Sequence, residues 1–220
     1  TIRVMKKIID EGKCPIRIYA LIDGAGETWN EYQIKGPEIG YGNLLTIRGI
    51  KMYMDGALGS RGAALLEDYS DEPGNRGLTV TTEEQLREVC QQAFDKGFQV
   101  CTHAIGDRGN NIALNVYESV LKNLPKETAS PRWRIEHCQV LSPTDIPRFG
   151  ELGIIPAMQP THATSDMYWA EARLGAERVK YAYAWRSLIE AGNKIIGGSD
   201  FPVESVNPIL GFYAAATRSD

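Results

Sequence analysis

Phe98-Gln99-Val100-Cys101-Thr102-His103 runs directly into Ala104-Ile105-Gly106-Asp107, and the reading of this stretch decides the fold. A short, largely apolar run that follows a helix-stopping glycine and ends in a histidine reads as a β-strand with chemistry at its C-terminal end. Working outward, the pattern recurs. Upstream, Thr82 and Glu83-Glu84 open a helix through Lys96, and Gly97 closes it. Downstream, Asn111–Leu124 reads as a helix closed by Pro125, and Trp133–His137 as another strand ending in histidine. Further strands are predicted at Ile16–Ile22, Thr46–Met54, Ile154–Gln159 and Lys194–Ser199. Helical stretches run from Ser142-Pro143-Thr144 to Leu152–Gly153, over Glu177–Ala191 before Gly192, and from Pro208 to about Thr217. Strands alternating with helices imply a mainly parallel sheet covered by helices. Six such strands suit an open doubly wound sheet or part of an eight-stranded barrel, and both place their sites at the C-terminal strand ends.

With 220 residues, 43% of them hydrophobic, the chain is long enough for one domain with a substantial core, and we read residues 1–220 as a single unit. A net charge of −4 gives no electrostatic reason to expect nucleic acid or an anionic membrane as partner. No apolar run approaches the roughly 20 residues of a membrane helix. The chain starts at Thr1 rather than Met, so the lack of a signal-peptide pattern says little about secretion. Cys14, Cys90, Cys101 and Cys138 show no Cys-x-x-Cys spacing and read as buried free thiols; the compartment stays open, with a lean to the cytoplasm.

The whole chain has three histidines, and two of them, His103 and His137, end predicted strands. Asp200 ends a third, in Lys194-Ile195-Ile196-Gly197-Gly198-Ser199-Asp200. A lone histidine is most often structural. Two imidazoles and a carboxylate at strand ends suit a zinc-like divalent cation with one position left for water. Asp200 would bind the metal, take a proton from that water, or both. In Ile47-Arg48-Gly49-Ile50-Lys51-Met52-Tyr53-Met54-Asp55, strand alternation sets Lys51 on one face with Ile47, Gly49, Tyr53 and Asp55, pointing into the barrel. An ammonium there must be paired, neutralised or modified. A salt-bridged structural lysine and a lysine carboxylated by CO2 both satisfy that requirement.

Several segments together resemble the amidohydrolase superfamily: Lys51-Met-Tyr-Met-Asp-Gly-Ala-Leu-Gly-Ser-Arg61, His103-Ala-Ile-Gly-Asp107, Arg134-Ile-Glu-His137 and Gly198-Ser-Asp-Phe-Pro-Val-Glu204. More closely the chain is similar to the YtcJ-like branch of metal-dependent hydrolases, which includes AepA-like proteins; Met158-Gln-Pro-Thr-His162 and Asp166-Met-Tyr-Trp169 fit that branch. The resemblance implies a (β/α)8 TIM-barrel-type fold. By motif it makes Lys51 the fourth-strand lysine, usually carboxylated where two metals bind. His103 and His137 become the fifth- and sixth-strand metal ligands, and Asp200 the eighth-strand aspartate that binds metal and acts as general base. His162 would face the substrate, its alternative being a loop histidine. Arg61 and Asp107 are further candidates for substrate contact, although Arg61 could equally form an ion pair within its loop.

One departure stands out. The family opens its barrel with a strand ending in His-x-His, and no histidine precedes position 103 here. On this alignment Ile16–Ile22 is the third strand, so the chain reads as an incomplete barrel, strands three to eight of a longer enzyme. The resemblance implies a divalent metal, most simply zinc, and hydrolysis of a C–N bond in an amide, N-formyl or cyclic amide substrate by metal-activated water. Its expected partner is thus a small amide-type molecule; homo-oligomerisation stays open. A catalytically silent structural or regulatory domain is the alternative from another class, and a barrel esterase or lactonase the third reading. The glycine-rich stretch Gly56–Gly62 lacks the phosphate-cradle patterns and reads as a loop at the site mouth. Ser199 lacks the Gly-x-Ser-x-Gly elbow of a nucleophile. Tyr181, Tyr183 and Trp185 read as packing or pocket-edge residues, and Cys138 should point away from His137.

Overall fold

The computed structural model describes residues 1–122 and 130–219, so the predicted helix end at Leu124 and Pro125 lies outside the described residues. Six strands form one parallel sheet: β1 (Ile18–Asp23), β3 (Leu45–Tyr53), β4 (Gln99–Ala104), β5 (Arg134–His137), β6 (Ile155–Met158) and β7 (Ile196–Gly197), side by side in that order. A short strand β2 (Glu38–Tyr41) pairs antiparallel to β3. The parallel strands curl into a half-barrel, the incomplete TIM-barrel-type fold expected from the sequence. Each predicted strand is present within two residues of its expected start, except that Lys194–Ser199 shortens to the two residues of β7 at the sheet edge.

The helices are α1 (Ile2–Asp10), α2 (Glu27–Lys35), α3 (Glu83–Asp95), α4 (Asp107–Leu121), α5 (Ile146–Leu152), α6 (Pro160–Asp166), α7 (Ala170–Arg178), α8 (Trp185–Glu190) and α9 (Pro208–Thr217). Helix α3 begins as predicted: Thr82 Oγ1 accepts from the Gln85 amide at 3.2 Å, and Gln85 Oε1 accepts from the Thr82 amide at 3.1 Å. Helix α4 starts four residues ahead of its predicted position, because Gly106 in extended conformation serves as its N-cap. The predicted helix Glu177–Ala191 is broken. Its first part ends at Arg178, a 3-10 turn spans Val179–Tyr181, and α8 restarts at Trp185. Tyr183 is drawn out of the helical path: its amide donates to Gln139 O at 2.7 Å and its hydroxyl to Asp166 Oδ2 at 2.5 Å.

The core lies between the sheet and α3, α4 and α5, around Phe98, Val100, Tyr117, Trp133, Ile135 and Phe149, each at most 1% exposed. Phe94, Tyr117 and Trp133 meet edge to face, and the Trp133 indole donates to Phe98 O at 3.2 Å. The interior face of the half-barrel is less covered, and there Tyr19 and Tyr53 are each 48% exposed. All four cysteines are free thiols. Among the described residues no helix is long and apolar enough to cross a membrane.

Candidate active site

Parallel pairing of β3, β4 and β5 aligns the C-terminal strand ends that carry the chemistry. Register places Tyr53 opposite His103, and His103 opposite Glu136, so Ala104, not His103, stands opposite His137. Simple alternation would therefore send the two histidines to opposite faces of the sheet. The backbone resolves this at the strand end, where His137 adopts a left-handed φ of 76° and Cys138 one of 44°. The His137 ring thereby comes to lie 4.5 Å from that of His103, edge to face, and 6.0 Å from that of His162, stacked. Cys138 turns into the core and donates its thiol to Ile135 O.

Burial sets the protonation of this pair. Desolvation, reinforced by the nearby Lys51 ammonium, holds the His103 pKa down to about 4. Desolvation together with His103 and Lys51 holds that of His137 down to about 2. Both rings are neutral at physiological pH and carry a free lone pair, the form that ligates cations. The Nε2 atoms of His103 and His162 are buried without a hydrogen-bond partner among the described residues.

Lys51 stands on the interior face, its Nζ 4.9 Å from the centre of the Tyr53 ring. Burial lowers its pKa, and the carboxylates of Glu136 and Asp200 pull the other way. Among the described residues its ammonium forms no salt bridge; Glu136 instead accepts from Arg134 Nε at 2.8 Å. Asp200 follows β7 on the exposed rim with a left-handed φ of 56°. Among the described residues, no three His, Cys, Asp or Glu side chains converge in a geometry that could hold a metal ion. The adjacent neutral imidazoles, with the orphaned His103 Nε2 beside them, are nevertheless donors of the type a divalent cation takes.

The loop after β3 walls the site. Arg61 is engaged within it, donating from Nη2 to Asp71 Oδ2 at 2.9 Å and lying 3.1 Å from Glu72 Oε2. Arg173 on α7 also pairs with Asp71 and donates to Gly59 O, while Arg178 donates to the carbonyls of Glu67 and Asp68. Asp107, in the first turn of α4, accepts from the Leu66 amide at 2.8 Å and from its own neighbour Arg108 at 2.9 Å. These contacts make Arg61 and Asp107 fasteners of the loop. An apolar cavity of about 340 Å³ lies between β7 and α9, lined by Met158, Trp185, Ile195 and Phe212; neither Lys51, His103 nor His137 borders it.

Two polar residues without a role in the sequence reading shape the site. Asp55, 2% exposed, accepts from the amides of Ala64, Ile105 and Gly106 at 2.8–2.9 Å. Its Oδ1 lies 3.5 Å from His103 Nε2, and burial pushes its pKa up to about 6 despite the three amides. Only glycine at position 109 allows this approach, since a Cβ there would sit 2.6 Å from Asp55 Oδ2. The available signal was its place four residues after Lys51, a charge on the inward face. The second is Gln159, immediately after β6, whose Oε1 lies 2.8 Å from His137 Nδ1.

Residues 1–220 match the Amidohydrolase family. The chain is 36% identical over 218 residues to YtcJ of Bacillus subtilis (strain 168), named as an amidohydrolase, covering 98% of this chain and 39% of that protein. It is 39% identical over 175 residues to Protein LONG AFTER FAR-RED 3 of Arabidopsis thaliana, covering 79% of this chain and 30% of the relative. Among solved structures, an uncharacterized metal-dependent hydrolase from Pyrococcus horikoshii OT3 superposes with a TM-score of 0.88 at 32% identity, over 99% of this chain and 42% of that one. The chain thus spans about two-fifths of the proteins it matches.

Proposed function

The chain belongs to the amidohydrolase family, and on that premise we propose that the protein acts as a metal-dependent hydrolase, cleaving a C–N bond in a small amide, N-formyl or cyclic amide substrate. The observation that carries this reading is the pair of adjacent, neutral imidazoles of His103 and His137, 4.5 Å apart at the strand ends. His103, His137, Asp200 and a carboxylated Lys51 would hold a divalent cation, zinc by the nature of the donors. When bound, such a cation supplies positive charge that polarises a carbonyl and acidifies water.

The chain's own residues account for the rest. Asp200 is the carboxylate free to take the proton from the attacking water and hand it to the departing nitrogen as the C–N bond breaks. Lys51, half-buried and without a salt-bridge partner among the described residues, is the lysine whose amine, its pKa lowered by burial, can lose a proton, add CO2 and become an anion. His162 stacks beside His137 and presents a buried Nε2, without a partner among the described residues, suited to a substrate oxygen. Arg61 and Asp107 fix the loop over the site and support substrate contacts from there.

Turnover of a panel of amides, N-formyl compounds and cyclic amides, each beside its ester or lactone analogue, tests the reading. It should be run on this chain and on one extended to the length of its relatives. The expected result is zinc-dependent amide turnover in the extended protein that falls at least a hundredfold with His137→Ala or Asp200→Ala, on the order of a lost catalytic group. Turnover unchanged by both substitutions refutes the assigned roles. Faster turnover of the esters moves the protein to the esterase or lactonase class.

A further inference from the structure

The geometry points to Gln159 as a positioning residue that locks His137 in a single tautomer, with the hydrogen on Nδ1 and the lone pair on Nε2. Gln159 and His137 are both buried, 9% and 8% exposed, so little bulk water competes for the contact between them. Gln159 Oε1 lies 2.8 Å from His137 Nδ1, a full-strength hydrogen-bond distance. An amide oxygen accepts and never donates, so the hydrogen belongs to Nδ1. The other ring nitrogen is then left with its lone pair.

The local fold explains why this residue can hold that ring. Gln159 occupies the junction between β6 and α6 as the N-cap, in extended conformation (φ −114°, ψ 99°), with Pro160 opening the helix after it. Proline fixes the backbone at the helix start, which leaves the Gln159 side chain projecting from a rigid corner. His137 needs such support, because its own left-handed φ of 76° carries the ring off the strand's regular alternation. One element fixes the other: β6 is the neighbour of β5, pairing Glu136 with Ala157. The lock also answers a question the strand pattern leaves open, which of the two nitrogens of His137 is available. A partner on one ring nitrogen decides the state of the other.

The consequence for a cation rests on the function proposed above; the tautomer itself does not. The test therefore has two arms. In the first, the metal-free chain is labelled with ¹⁵N at histidine, and long-range ¹H–¹⁵N correlation spectra are recorded at neutral pH. The wild type should show His137 as the Nδ1–H tautomer. Gln159→Leu, which keeps bulk and removes the acceptor, should show a mixture of tautomers, whereas Gln159→Glu, which keeps an acceptor, should retain the wild-type form. An Nε2–H tautomer in the wild type, meaning that the amide is turned over and donates, overturns the proposal. So does a spectrum unchanged by Gln159→Leu. Gln159→Met repeats the loss of the acceptor if the leucine variant fails to fold.

In the second arm, zinc is titrated into the same proteins. Loss of a residue that orients a metal-bound histidine weakens metal affinity on the order of 10–100-fold. That loss is expected for Gln159→Leu and not for Gln159→Glu. A tautomer released by Gln159→Leu with zinc affinity unchanged would leave the lock standing and remove His137 from the cation site.

Discussion

Removing the carboxylate of Asp55 tests whether a single buried side chain holds the corner on which His103 stands. Its two oxygens accept three backbone amides, those of Ala64, Ile105 and Gly106. Those amides belong to the loop after β3 and to the turn between β4 and α4. Asp55→Ala leaves all three buried donors without an acceptor. Each orphaned donor costs about 1–3 kcal/mol. Relief of the carboxylate's own burial offsets part of the total, so the lower end applies, and we expect a loss of about 3 kcal/mol. Asp55→Asn keeps one oxygen. Placed where Oδ2 now accepts from Ala64 and Gly106, it leaves only the Ile105 amide facing an NH2 group, at about 1 kcal/mol. Urea unfolding followed by tryptophan fluorescence gives the two stabilities, and hydrogen exchange at Ala64, Ile105 and Gly106 reports the corner directly. Equal losses for the two variants would mean that the negative charge and not the acceptors does the holding. Unchanged exchange at all three amides in the alanine variant would refute the clasp itself.

The other predictions concern regions apart from that corner. Glu38 joins β2 to two helices: burial pushes its pKa up, but hydrogen bonds from Lys35, Lys6 and Tyr32 outweigh this and bring it down to about 2. A depressed carboxylate adds stability that is full above its ordinary value and is lost as pH falls through about 2. Because Lys35 is 45% exposed, screening reduces the contribution to about 1 kcal/mol, so Glu38→Gln should show that deficit in unfolding at neutral pH and none in strong acid. Thr82→Ala removes the hydroxyl that accepts from the Gln85 amide in the α3 cap and should cost about 1 kcal/mol, with Thr82→Ser restoring most of it; equal melting temperatures for the two would count against the cap. Finally, intact-protein mass spectrometry under bicarbonate and zinc should find Lys51 heavier by one CO2, and the increment should vanish in Lys51→Arg; a metal-loaded protein without it excludes the carboxylated form.

The elements most legible in the sequence are those fixed by local chemistry. Thr82 with Gln85, Gly97 and Pro208 mark their helix ends by the groups they offer or withhold, and the strands between them carry their own apolar runs. The break at Tyr183 was not legible, because it is made by Gln139 and Asp166 from other parts of the chain. The interior face shows the same limit. Alternation correctly joins Lys51 and Asp55 on one face, yet it assigns Tyr53 the same surroundings, and Tyr53 is 48% exposed while Asp55 is 2% exposed. Which inward residues are covered depends on the loop that folds over them, and that loop is held by Arg173 and Arg178 from α7.

The candidate site was legible as a set of residue types and only partly as a geometry. His137 ends β5 and His103 stands one residue before the end of β4, and this one-residue offset in register would have separated them if the chain had stayed regular. The left-handed turn at His137 that reunites them leaves no mark in the apolar pattern. Asp200 illustrates the converse. Its motif is as clear as theirs, yet β7 is two residues long and among the described residues pairs with β6 alone, so Asp200 sits on an exposed rim. Order in the site therefore follows position in the sheet. Strands paired on both sides deliver buried, neutral and oriented imidazoles, whereas the edge strand delivers a carboxylate to solvent. The two histidines form the part of the site that is built in advance, and the position of Asp200 is the part least fixed by the sheet.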